Sequence, residues 1–265
     1  MTVPLTSSRF AAPTRAPAAS VVQIPQYSKR AILAVWAATT VPMGVLAWIA
    51  APRLAATLDG PAPLARALIL CITGGLIWQF VLVVGLVGIE QRSLRWSTLC
   101  EALWLRAPRS PRTKRVGGRV WWIVIPLIVA LAAEEVVPVA PHPVNRELGV
   151  ILQSAAGKSM LHGSWAWFTA LLVLFIFNTV LGEELLFRGF LLPRMNGAFG
   201  RRDWIANGIL FATYHVHVPW VIPAGLLDTF ILSYPSKRYG SAWIGIVVHS
   251  AQSVVFTALA LTIVL

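Results

Sequence analysis

The sequence predicts an all-α membrane protein: a polytopic transmembrane helical bundle of about seven spans, N-terminus inside and C-terminus outside. Three observations predict it. First, 57% of the 265 residues are hydrophobic and 12% are charged, with mean hydropathy +0.71. A soluble domain carries about 25% charged residues. Second, several apolar runs reach about 20 residues, enough for a helix to cross a bilayer, and the short alternating segments of a β-barrel are missing. Third, the bases are segregated. Segments 1–30, 90–119, 188–202 and 235–241 hold 18 of the 22 Lys and Arg, leaving only Arg53, Arg66, Arg146 and Lys158 elsewhere. Bases concentrate in cytoplasmic loops, so the net charge of +12 speaks for topology and anionic lipid, not nucleic acid.

Residues 1–30 are rich in Ala, Pro, Ser and Thr, with Arg9, Arg15, Lys29, Arg30 and no acid. They read as a disordered basic cytoplasmic tail ahead of a transmembrane domain over 31–265. The first span is 31–51, with Pro42 and Gly44 as a kink that membrane helices tolerate. The second is 64–89, where Gly74, Gly75, Gly85 and Gly88 favour close helix contact. Segment 93–105 sets Leu94, Trp96, Leu99 and Trp104 among polar residues, the pattern of an interfacial amphipathic helix. The third span runs from 120 to 133, extended to Val139, and the pair Glu134 and Glu135 marks its outer end. Residues 140–163 form a polar loop in which His142 and His162 are solvated. The fourth span is 165–192. The fifth, 203–218, is capped by Asp203. The sixth is 221–234, with Asp228 inside it, and the seventh is 242–265. Cys71 and Cys100 form neither a CxxC pair nor a zinc set.

Chemistry concentrates in the fourth span, at Glu183-Glu184-Leu-Leu-Phe-Arg188. Each acid at a membrane-helix centre costs about 2.5–3.5 kcal/mol. Glu184 and Arg188 are four apart and pair on one helix face. Glu183 lies about 100° away round the helix and is left free to react. Two histidines in other spans join it, His215 at the end of Phe211-Ala-Thr-Tyr-His215 and His249 at the start of His249-Ser-Ala-Gln-Ser253. Counted from the cytoplasmic ends, the depths of Glu183, His215 and His249 are about 14, 18 and 10 Å. That places three polar groups at a similar level, open towards the cytoplasm. A carboxylate in an apolar site can serve as general base, and a histidine can donate to a developing oxyanion.

Glu183-Glu184-x-x-x-Arg188, Phe211-x-x-x-His215 and His249 resemble the motifs of the CPBP family of intramembrane peptidases. That family contains the type II CAAX prenyl endopeptidases and bacterial bacteriocin-processing (Abi) or immunity proteins. The resemblance covers roughly residues 120–265, the peptidase-like core. It implies a multi-pass protein of the plasma membrane that hydrolyses a peptide or protein substrate, lipidated or not, near the cytoplasmic face, without a metal or other cofactor. It also implies roles: Glu183 and His215 activate water, while His249 and the residue four places later stabilise the oxyanion. The family has Asn at that later position and this chain has Ser253, whose hydroxyl donates one hydrogen bond but reaches less far. Gln252 is an amide turned about 100° from Ser253, and Asn207 shares a face with Phe211 and His215. Glu184 and Arg188 fall to structure or substrate positioning.

Three other readings compete. A catalytically weak scaffold or bacteriocin-immunity protein is favoured by Ser253 alone. A Glu-His-His set can also hold zinc. A proton-coupled transporter would use Glu183, His215, His249 and Asp228, but inverted repeats between the halves are not visible.

Overall fold

The computed structural model describes residues 22–134, 136–137 and 141–265. The expected tail up to residue 21, Glu135 and the 138–140 extension of the third span lie outside the described residues. The described chain is helical, with an isolated β-bridge between Arg109 and Val116. In chain order, α1 is Lys29–Ala55 and α2 Pro63–Gln91. The short α3 is Trp96–Ala102, and α4 is Val124–Glu134. Two further short helices are α5, Leu148–Gln153, and α6, Ala155–Leu161. Then come α7, Trp165–Arg194, and α8, Asp203–Tyr214. Ile222–Gly225 is α9, Tyr234–Tyr239 is α10 and Ala242–Val264 is α11.

Four helices are long and apolar enough to cross a membrane: α1, α2, α7 and α11. This is a multi-pass membrane architecture. The other three expected spans are helical but shorter. α4 has 11 residues and α8 has 12. The sixth is broken into α9, a π-helical piece at Thr229–Ser233 and α10. Pro219, Pro223 and Pro235 explain the interruptions, since each removes a backbone donor.

The basic segments meet at one end of the bundle. The Tyr27 amide donates to Arg194 O (2.9 Å), Arg109 N to Tyr239 O (2.9 Å) and Ala242 N to Trp104 O (2.9 Å). Residues 22–28, from the stretch expected to be a tail, run as an extended strap along this end. Gln26 donates to Pro193 O (3.0 Å) and accepts from Gly197 N (2.9 Å). At the other end Gly163 N donates to Val264 O (3.1 Å), and Arg146 Nη1 donates to Ala47 O (3.1 Å) while stacking over Trp48. His142, expected to be solvated, instead stacks on Trp220 at 4.8 Å and contacts Glu147 at 2.7 Å.

Inside, α8 packs so tightly on the Thr229 segment that a Cβ at Gly208 would sit 2.6 Å from Thr229 Cα. A glycine is required there. Asp203 is buried and ion-pairs with Lys237. It does not cap α8 through its side chain as expected; its Oδ1 accepts from the adjacent Trp204 amide at 2.7 Å.

Candidate active site

The acidic motif sits at an irregular point of α7. Phe177–Gly182 and Leu185–Leu191 are both π-helical, joined at Glu183 and Glu184. A π-turn widens the helix and is frequent at functional sites. Here it re-aims the residues after the motif, which a uniform 100° per residue does not describe.

Glu184 is the hub. Its Oε1 accepts from Arg188 Nη1 at 2.8 Å and lies 3.1 Å from His249 Nδ1. Glu184 and Arg188 are fully buried and His249 is nearly so. The pairing of Glu184 with Arg188 matches the four-residue spacing. The link to His249, from another helix, had no signal in the local sequence. The other carboxylate oxygen, Oε2, presses on the backbone of α11: a Cβ at Gly245 would sit 2.2 Å from it and 3.3 Å from Arg188 Cγ. Arg188 also lies 3.9 Å over the Phe211 ring.

Glu183 is buried, and its Oε2 has no hydrogen-bond partner among the described residues. Its electrostatic neighbours are His249, Glu184, Arg188 and Asp228. His215 follows the last residue of α8, and its Nδ1 lies 3.0 Å from Phe211 O. A carbonyl only accepts, so Nδ1 donates and the neutral ring keeps Nε2 as its acceptor nitrogen. His217 stacks on His215 at 5.4 Å.

A cavity of about 520 Å³ is lined by His215, His249, Asp228, Glu134, Gln252 and Phe256, together with Glu147–Val150 and Trp220–Val221. Glu183 and Glu184 do not border it; Glu184 reaches it through His249. Of this lining, Glu147–Val150 and Trp220–Val221 come from segments at the end away from the basic loops, the end opposite to the one towards which depth counting opened the site. The reason is that His215 terminates α8 instead of sitting within a longer span. Glu134 does end α4 as expected. It lines the same cavity as Asp228, so the acid read as an interfacial marker is part of the cavity wall.

Two amide alternatives separate cleanly. Asn207 is committed to structure, its Nδ2 donating to Phe187 O (2.9 Å) and its Oδ1 accepting from Ser233 Oγ (3.0 Å). Ser253 faces α7, where its hydroxyl donates to Thr179 Oγ1 at 3.5 Å, and it does not border the cavity. Gln252 does. Among the described residues no group of three or more His, Cys, Asp and Glu is arranged to hold a metal ion.

Residues 164–255 match the family model described as type II CAAX prenyl endopeptidase Rce1-like. The CPBP resemblance is borne out. The match contains Glu183, Glu184, Arg188, His215, His249 and Gln252, and is narrower than the 120–265 region expected from the motifs. The family so described is one of prenyl endopeptidases. No curated protein and no solved structure matches the chain.

Proposed function

We propose that the protein is an intramembrane endopeptidase of the plasma membrane in which Glu183 and His215 activate a water and His249 stabilises the oxyanion, without a metal. The observation that carries this reading is the buried relay Arg188–Glu184–His249, ending at a cavity that His215 also borders. With Nδ1 donated to Phe211 O, His215 offers Nε2 to the water proton, and the Glu183 carboxylate supplies the second basic group. Glu184 fixes the His249 ring and stabilises the imidazolium that donates to the oxyanion, as an acid behind a histidine does elsewhere. The substrate class that fits the family is a peptide near a lipid anchor, of the prenylated CAAX type.

The same proposal includes topology. The chain crosses the membrane seven times, N-in and C-out, with α4, α8 and the broken α9–α10 segment as the three short crossings. Gathering of the basic segments at one end supports it. Glu147–Val150 and Trp220–Val221 line the cavity from the other end, which supports substrate access from that side instead of the cytoplasmic face expected from depth.

The test is cleavage by the purified protein in detergent, using an internally quenched farnesylated CAAX peptide and its unlipidated counterpart. Cleavage of the farnesylated peptide supports the assignment. Cleavage of the unlipidated one alone keeps the peptidase and discards the lipid requirement. Cleavage of neither leaves the scaffold reading in its place.

A further inference from the structure

We propose that Gln252 is the amide that stabilises the oxyanion, in the role the family pattern gives to position 253. The inference rests on the hydrolytic reading above. Its observations are separate from that reading. His249, Gln252 and Phe256 all border the cavity, and their spacing of three and then four residues is one face of α11. Ser253 belongs to the neighbouring face, held at Thr179 together with Ser250 at 3.2 Å. Asn207 has both ends of its amide engaged elsewhere. Two primary amides line the cavity, Gln153 and Gln252, and Gln252 is the one carried by the same helix as His249. A carboxamide carries two N–H donors, against one for a hydroxyl, and the extra methylene of Gln over Asn lengthens its reach. Residues three apart on a helix are as close as residues four apart, with Cβ atoms about 5–6 Å from each other. A shift of the amide from position 253 to 252 therefore keeps it beside His249.

In the step concerned, an O–H bond of the water that Glu183 and His215 activate breaks and its proton passes to His215 Nε2, with the Glu183 carboxylate as the second basic group. A C–O bond forms to the scissile carbonyl, and the carbonyl π pair moves onto oxygen as negative charge. His249 and the Gln252 Nε2–H donate to that oxygen. Collapse returns the pair to carbon, the C–N bond breaks, and the leaving amine takes the proton from His215.

The experiment uses the full chain in detergent with the farnesylated quenched peptide, and compares wild type with Gln252→Glu, Gln252→Ala and Gln252→Asn. One oxyanion donor is worth about 100–1,000-fold in turnover. Gln252→Glu, which keeps shape and removes the donors, should lower kcat by about 100-fold with little change in KM. Gln252→Asn should keep more of the turnover than Gln252→Ala. Inhibition by a farnesylated peptide aldehyde, whose hydrate mimics the tetrahedral intermediate, should weaken across the three variants in step with kcat/KM. A merely structural role would not produce that proportionality. Adding Ser253→Asn to Gln252→Ala should fail to restore turnover. Wild-type kcat in Gln252→Glu, or rescue by Ser253→Asn, overturns this inference and leaves the peptidase standing. An inert wild type overturns both.

Discussion

The bundle buries two glutamate–arginine pairs, and they are built for different ends. At the basic end, Arg194 uses every nitrogen. Its Nε and Nη2 bond the Glu90 carboxylate at 2.5–3.1 Å, and Nη1 donates to Phe190 O (2.8 Å) and Ala102 O (3.1 Å). The Tyr27 hydroxyl donates to the same carboxylate. Burial, the hydrogen bond and the charge of Glu90 push the Tyr27 phenol well above its ordinary range, so it stays a donor at any physiological pH. This pair joins the strap, α2, α3 and α7 into one lock. Within α7, Arg188 makes one bond to Glu184. Its Nε and Nη2, and Glu184 Oε2, have no hydrogen-bond partner among the described residues. The first pair ties four segments together, whereas the second is linked through Glu184 to His249.

The comparison is broken or sharpened by what each pair does to turnover per folded molecule. The largest effect is expected from Arg188→Ala. It strands Glu184, and breaking a buried pair costs about 3–5 kcal/mol. Both the melting temperature and kcat per folded molecule should fall, the latter by 100-fold or more if His249 loses its orientation. Arg194→Ala should lower the melting temperature comparably while leaving kcat of the folded fraction within about threefold, because no group it touches borders the cavity. Calorimetry in detergent combined with active-site-normalised kinetics reads both. If Arg194→Ala loses turnover as Arg188→Ala does, the two pairs are not different in kind.

Next is Gly245→Ala. The new methyl would overlap Glu184 Oε2 at 2.2 Å, forcing the carboxylate off His249. Turnover should fall about tenfold or more, with a stability cost of about 1–3 kcal/mol from overpacking. The smallest effect is Tyr27→Phe. It removes one hydrogen bond to a carboxylate, worth about 1.5–3 kcal/mol. The melting temperature should drop slightly and kcat should hold across neutral pH. A change in the pH profile of kcat would show that the strap communicates with the site.

Much of this was legible along the chain. The apolar runs located all four long helices within a few residues: 64–89 was expected where α2 is Pro63–Gln91, and 165–192 where α7 is Trp165–Arg194. Spacing alone paired Glu184 with Arg188. What escaped was set by tertiary packing. Nothing near Glu184 in sequence announces His249, and Asp228 meets Glu134 only because the broken α9–α10 segment packs beside α4. Ser253 was named because the resemblance puts the donor four residues after His249, and Gln252 was set aside as turned about 100° from that position. On a real helix three-residue neighbours are equally near, and which of them faces a cavity depends on the helix that packs against the other side. The sixth segment, 221–234, was legible as short; its division into separate helical pieces was not.

The central claim is that the buried carboxylate of Glu183 takes part in peptide hydrolysis. The most direct measurement compares wild type with Glu183→Gln on the farnesylated quenched peptide, with and without a strong chelator, in samples matched for melting temperature. Wild type should cleave equally well with the chelator present, and Glu183→Gln should lose at least about 1,000-fold at unchanged stability. Full activity in Glu183→Gln, or wild-type activity that chelation abolishes and zinc restores, would contradict it.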